Sequence, residues 1–380
     1  MTGPRDCDVI IVGGGPAGST LAWRLVQAGL DVVVIDKKAF PRDKVCAGWV
    51  TPAVVDALEL DLDAYRRGRV LQEIRAFRIS MLDGPEVRTR HDAVVSYGIR
   101  RCEFDHYLLE RSGAALEPGE TVRDLERKGG RWVVNDRLRA PLLVGAGGHF
   151  CPVARRLGAD LGGSERVVAA QEVEFPMDER QRAACAIRGD TPELFFCRDL
   201  RGYAWVFRKG DFLNIGLGRE DNHRLAEHVA AFVEFLHARG RIPADLPGRF
   251  KGHAYLLHTH AGREVLGEGA LLIGDAAGLA YPQSGEGIRP AVESALLAAD
   301  TILEAGGDYG PGRLDAYARR LQERFGRRAD GRPANLLMPP GIRTWIGEQL
   351  LGTHWFARRV VVDRWFLHQH EPPLAAVRTG

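Results

Sequence analysis

Near its start the chain reads Cys7-Asp-Val-Ile-Ile-Val12, then Gly13-Gly14-Gly15-Pro16-Ala17-Gly18, and after a helix-forming stretch Leu30-Asp-Val-Val-Val-Ile35-Asp36. An apolar run, glycines at Gly-x-Gly-x-x-Gly spacing, a helix, a second apolar run and an acid follow in the order of a βαβ unit that holds a dinucleotide. Gly13 permits the tight turn, Gly15 lets backbone approach a pyrophosphate, and Gly18 lets the helix lie close on the sheet. Pro16 and Ala17 open a helix whose free N–H groups and positive dipole end face the phosphates. Asp36 stands about twenty residues beyond the first glycines, where a carboxylate binds a ribose hydroxyl and repels a 2′-phosphate. Lys37 follows it and joins the candidate cofactor contacts. These residues alone leave FAD and NAD equally open.

A chain of 380 residues is too long for one small core and fits about two domains, interleaved or sequential. Its 45% apolar and 27% charged content is that of a soluble globular protein. A net charge of +2 offers no reason to expect a nucleic-acid partner. The six cysteines lie far apart without zinc-type spacing, so neither a disulfide framework nor a structural metal is expected, and a reducing cytoplasm is the simplest home. The first strand begins by about residue 7, which leaves no room for a cleavable targeting segment. No apolar run approaches the ~18 residues of a membrane span. A lipid substrate would be met from the aqueous side, with peripheral membrane contact left open.

Three segments, 1–69, 98–166 and 256–305, read as one discontinuous nucleotide-binding domain of the Rossmann-like α/β type. Within it, Arg101 opens a helix with Phe104, Leu108 and Leu109 inward, and an arginine there can hold a pyrophosphate or a ring edge. Leu142-Leu-Val-Gly145 returns to the parallel sheet and ends in Ala146-Gly147-Gly148, where backbone can approach a ligand. Ala270-Leu-Leu-Ile273 ends in Gly274-Asp275, an acid placed to accept from a ribityl or ribose hydroxyl. Gly285, Gly287 and Ile288 then begin an Ala- and Leu-rich helix whose N–H groups can face the negative charge of a reduced flavin. Acid and glycines together favour FAD over NAD.

Residues 70–97 and 167–255 alternate in strand fashion and form a β-sheet substrate domain. Tyr203, Trp205 and Phe207 share one strand face, either as the wall of a flat or apolar ligand or as the core side of a sheet. Leu225 to Arg239 is an amphipathic helix laid on that sheet. His253, His258 and His260 lack acidic partners nearby, so no metal is expected, and His368 with His370 is no better supported. Residues 306–380 form a helical C-terminal region whose Trp345, Trp355 and Trp365 serve core packing or a lipid-facing lip.

Gly13-x-Gly15-x-x-Gly18, Arg101-x-x-Phe104-Asp105 and Gly274-Asp275 together resemble the glutathione-reductase-type flavoproteins of the p-hydroxybenzoate hydroxylase class, over the chain to about residue 303. Within that class Lys44-Val-Cys46-Ala-Gly48, Tyr203-x-Trp205-x-Phe207 and Ser284-Gly285-Glu286-Gly287-Ile288 look most like the geranylgeranyl reductase family. The resemblance implies an FAD-dependent oxidoreductase that saturates C=C bonds of an isoprenoid or other apolar substrate by hydride transfer. It implies that the loop through Cys46 and Trp49 crosses the isoalloxazine, with Cys46 the first candidate proton donor, Tyr203 the second, and Trp49, Tyr203, Trp205 and Phe207 around the substrate.

The hydroxylases' Asp-Gly pair is Gly147-Gly148 here, so NAD(P)H, a ferredoxin and a separate reductase all remain candidate electron donors, the last two as redox partner proteins. The family's proline after the aromatic strand is Arg208, which alters the pocket wall. The competing reading is an FAD-dependent monooxygenase acting through a flavin hydroperoxide. Halogenases share the scaffold, but their Trp-x-Trp-x-Ile-Pro signature is absent. A non-catalytic flavin electron carrier would have no use for the substrate sheet.

Overall fold

The computed structural model describes residues 3–161, 165, 167–221, 223–327 and 340–374. Val9–Val12 and Val32–Asp36 pair in parallel at the centre of a six-stranded sheet. Leu142–Gly145 and Ala270–Leu272 extend it in parallel on one side, and Ala115–Pro118 on the other. The four inner strands, covered on both faces, read in sequence as apolar runs instead of alternating ones, while Ala115–Pro118 at the edge is buried only in part. The Pro16–Gln27 helix lies against the Ile288–Ala305 helix, whose buried Ala291, Ala295, Ala298 and Ala299 keep the two backbones close.

A seven-stranded sheet forms the second layer, in the order Lys251–Leu256, Val167–Pro176, Phe212–Arg219, Gly202–Lys209, Glu193–Phe196, Ala76–Met81, Val87–Arg90. Strand alternation divides its central strand. Ala204 and Val206 pack with Val229, Phe232 and Leu236 of the Leu225–Ala238 helix. Trp205 and Phe207 join the opposite core with Phe77 and Trp49.

The excursion expected over residues 70–97 serves two sheets. Ala76–Met81 and Val87–Arg90 join the large one, while Ser96–Ile99 pairs with Leu71–Ile74 on one side and Trp49–Val50 on the other in a three-stranded ribbon. That ribbon holds the end of the Cys46 loop between the two layers.

A π-helical segment, Phe356–Phe366, closes the aromatic face by burying Ala357, Val361, Val362 and Phe366 against it. The C-terminal tryptophans divide accordingly: Trp365 is half-buried there, whereas Trp345 and Trp355 are 62% and 68% exposed. Among the described residues no three His, Cys, Asp or Glu side chains gather where a metal ion could sit.

Candidate functional site

A cavity of about 530 Å³ lies where the C-terminal ends of the parallel strands meet the aromatic face of the large sheet. Gly13, Asp36 and Gly147 bound one end of it, and Tyr203, Trp205 and Leu194 the other, with Cys46 between.

At the nucleotide end the glycines act through excluded volume. Gly13 has φ +116°, and a Cβ there would lie 2.4 Å from the Ala146 carbonyl oxygen. The helix behind it starts at Gly15 with no side-chain cap and no acid in its first turn. Its first N–H groups are therefore left for a ligand, with the positive dipole end behind them. Asp36 fixes the turn by accepting from the Gly14 N–H at 2.8 Å and the Lys38 N–H at 2.9 Å. Each of its oxygens keeps a lone pair for a ribose hydroxyl.

The second helix facing the cavity, Ile288–Ala305, begins at Gly287 and also lacks a side-chain cap and a first-turn acid. A Cβ on Gly287 would come 2.9 Å from Asp275 Oδ1, and one on Gly285, at φ +66°, 2.3 Å from the Tyr255 hydroxyl. Two uncapped helix starts, bare glycine backbone and the carboxylates of Asp36 and Asp275 make a donor and acceptor set that fits FAD.

Cys46 stands where the two ends meet, and both sides of its peptide are held. Its N–H donates to Glu172 Oε2 at 2.5 Å, and its carbonyl accepts from Asn214 Nδ2 at 3.2 Å. The Asn214 Oδ1 in turn accepts the Trp205 indole N–H at 2.7 Å. The indole lies flat on Gly216, where a Cβ would reach to 2.2 Å of the ring. Burial pushes the Glu172 carboxyl up to about 8, with Glu174 adding and Lys209 opposing.

Lys44 and His253 touch through Nζ and Nε2, with His253 Nε2 4.0 Å from Asp275 Oδ2. Burial pushes the Lys44 ammonium down to about 8 and lowers the His253 imidazole. At Asp275 burial works upward, but His253 and Lys44 outweigh it and hold the carboxyl below its usual range.

Most of the expected residues reach the cavity wall: Pro16, Ala17, Lys37, Arg101, Gly285 and Ile288, and on the apolar side Trp49. Three do not. Gly18 and Gly274 are spacers between backbones: a Cβ on Gly18 would fall 1.9 Å from the Gly13 carbonyl oxygen, and one on Gly274 would fall 3.0 Å from the Ala17 Cβ. Phe207, 1% exposed, lies behind Trp49, its ring stacked on the indole at 5.0 Å. It supports the wall without forming it.

Two other expected residues make bonds within the protein. Arg101 sends Nε and Nη2 to Asp105, both at 2.7 Å, so its fork is occupied and its reach toward a pyrophosphate is limited. Tyr203 donates its hydroxyl to the Ser284 carbonyl at 2.5 Å, and burial raises its pKa well above the usual value. Its ring forms part of the cavity wall, and its hydroxyl proton is engaged with that carbonyl.

Glu172 and Asn214 went unnoticed in the sequence because a lone acid or amide in an alternating strand looks like an outward-facing residue. Lys44 was visible in its motif, yet nothing local ties it to His253.

Residues 8–98 match the family model described as FAD dependent oxidoreductase. A menaquinone reductase of Mycobacterium tuberculosis is 31% identical over 328 residues, 80% of this chain and 78% of that protein. A digeranylgeranylglycerophospholipid reductase of Methanothrix thermoacetophila is 28% identical over 347 residues, 84% of each chain. Among solved structures, a geranylgeranyl bacteriochlorophyll reductase-like protein of Thermoplasma acidophilum superposes with a TM-score of 0.73 at 21% identity, covering 99% of this chain and 94% of that one. These likenesses run far past the residues matched by the family model and through the seven-stranded sheet, and the chain belongs to the geranylgeranyl reductase family of FAD-dependent oxidoreductases.

Proposed function

We propose that the protein saturates C=C bonds of an isoprenoid chain. The observation that carries this reading is a single cavity whose dinucleotide cradle runs into an aromatic wall, with the Cys46 loop at the seam. Bound in its reduced form, FAD supplies the hydride. The residues of this chain do the rest. The Gly13 to Gly18 turn and Asp36 would hold the nucleotide end, and Asp275 with the start of the Ile288–Ala305 helix would hold the ring end. Trp49, Trp205 and Tyr203 orient an extended apolar chain and exclude water, which is where an enzyme of this kind gains most. Cys46 Sγ holds the proton destined for the second alkene carbon.

Under strict anaerobiosis, with dithionite as reductant, the holoprotein is expected to saturate a polyprenyl substrate and to reoxidise its flavin only when that substrate is added. No anaerobic saturation, together with oxygen uptake tied to substrate when the assay is repeated in air, would overturn this in favour of an oxygenase. In the same assay NADPH alone is expected to be ineffective, because the site where the hydroxylases place an acid is the bare backbone of Gly147 and Gly148. Electrons then come from a ferredoxin or a separate reductase.

The substrate is met at a lipid surface. No helix among the described residues is long and apolar enough to cross a membrane, while Trp345 and Trp355 stand exposed on the C-terminal segment, the kind of side chain that settles at a bilayer interface. Co-sedimentation with phospholipid vesicles is expected, and a Trp345→Ser, Trp355→Ser double variant should remain in the supernatant. Equal pelleting of both proteins would sink the surface reading.

A further inference from the structure

Each saturated C=C bond consumes one hydride and one proton. Resting on the reductase reading above, Cys46 can give up its proton once. The thiol must then be recharged inside a cavity walled by aromatics, so the next proton needs a route from solvent through the protein.

Glu286 lies on the loop between Ser284 and the Ile288–Ala305 helix and borders the substrate cavity. The residue is 8% exposed, and among the described residues no side chain hydrogen-bonds either carboxyl oxygen, the Arg289 N–H at the start of the helix being the donor that faces it. His368, 3% exposed, likewise has neither ring nitrogen hydrogen-bonded. Buried polar groups without partners are uncommon and costly, and two side by side call for a reason.

The two groups face each other, with His368 Nε2 3.8 Å from Glu286 Oε2. On the far side of the ring, Nδ1 is 3.8 Å from Glu371 Oε1, and His370 Nε2 is 3.7 Å from the same oxygen. Glu371, His368 and His370 border a second cavity of about 240 Å³. The ring is held for this position by stacking on Tyr281 at 3.7 Å, and its carbonyl accepts from Arg289 Nη1 at 3.2 Å.

We propose that Glu286, His368 and Glu371 form a proton path from the 240 Å³ cavity to the substrate cavity. In each cycle the Cys46 S–H bond breaks as a C–H bond forms on the substrate. The thiolate is recharged by the Glu286 carboxyl across the shared cavity. The Glu286 carboxylate then takes the Nε2 proton of His368 while Nδ1 accepts one through Glu371 from solvent, and a half-turn of the ring about Cβ–Cγ brings the protonated nitrogen back toward Glu286 before the next cycle. One proton enters for each one consumed, and no charge accumulates.

The electrostatics suit these roles. Burial pushes Glu286 up to about 8, with Arg289 opposing and Glu293 and Glu371 adding. Burial pushes His368 down to about 3, helped by Arg289, His370 and Arg324. Tyr281 on the adjoining loop and Tyr203 on the sheet also face Glu286. At neutral pH the acid therefore carries its proton and the imidazole is neutral, with one N–H to give and one lone pair to receive.

Two measurements on the FAD-loaded protein decide the matter. Infrared spectra without substrate should show two protonated-carboxyl C=O components at pH 7, from Glu172 and Glu286, that fade as pH rises through about 8, and Glu286→Gln should lose one of the two. An identical pair in that variant, or none in the wild type, overturns the path whether or not the reductase reading holds. His368→Gly suits the residue's φ of +47° and empties the space of the ring. Its turnover is expected to fall about a hundredfold with KM and FAD content unchanged. Added imidazole should restore several-fold in His368→Gly and nothing in Glu286→Gln. A loss that imidazole does not relieve would mark His368 as structural and refute the relay.

Discussion

Cys46→Ala is expected to lower single-turnover flavin reoxidation by about 10²–10⁴-fold, the usual contribution of a positioned acid, while FAD content and melting temperature stay at the wild-type level. The loop survives this change because its anchors are main-chain groups. The N–H of residue 46 donates to Glu172 and its carbonyl accepts from Asn214, and alanine keeps both. The 3.4 Å contact from the Gly48 N–H to the sulfur disappears, and so does the contact between the sulfur and the Arg101 guanidinium. The experiment follows the absorbance of dithionite-reduced protein after mixing with a polyprenyl substrate. Wild-type reoxidation by Cys46→Ala would remove the thiol from the mechanism and leave the wall and the cradle intact. Cys46→Ser, with a hydroxyl at the same place, is expected to fall between the two.

Gly18→Ala is expected to strip the protein of FAD, although residue 18 does not border the cavity. A Cβ there would lie 1.9 Å from the Gly13 carbonyl oxygen and 3.2 Å from Ile11 Cγ2, so the helix must move off the strand. Overpacking of this kind costs about 1–3 kcal/mol, and the displaced helix also misaims the N–H groups that face the phosphates. Gly262→Ala is the control: its Cβ meets nothing within 4 Å and no unusual backbone angle is required, so FAD content and stability should hold. The readouts are the flavin-to-protein ratio of purified protein and its thermal unfolding midpoint. Full flavin occupancy in Gly18→Ala would show that the turn tolerates a looser helix than the geometry allows.

Much of the nucleotide half was legible in the sequence, because its information is local. Strands covered on both faces must be apolar throughout, and a turn that passes within van der Waals distance of Ala146 or Asp275 must be glycine, whatever surrounds it. The alternation of Tyr203, Trp205 and Phe207 likewise told which face they share. It could not tell that Trp49, carried in by a distant loop, would slide in front of Phe207 and take its place in the wall.

The polar part of the site was decided by strand order. Glu172 and Asn214 lie 126 and 168 residues from Cys46, on neighbouring strands of one sheet. Glu286 meets His368 only because the C-terminal segment returns over the start of the Ile288–Ala305 helix, where Arg289 holds it by the carbonyls of His368 and Glu371. Steric limits and strand periodicity act over a few residues, so the sequence by itself determined where backbone must pass close to a cofactor and which faces are apolar. Burial of a carboxyl or an imidazole acts through whatever the rest of the chain places beside it, so the grip on Cys46 and the meeting of Glu286 with His368 belonged to the tertiary structure alone.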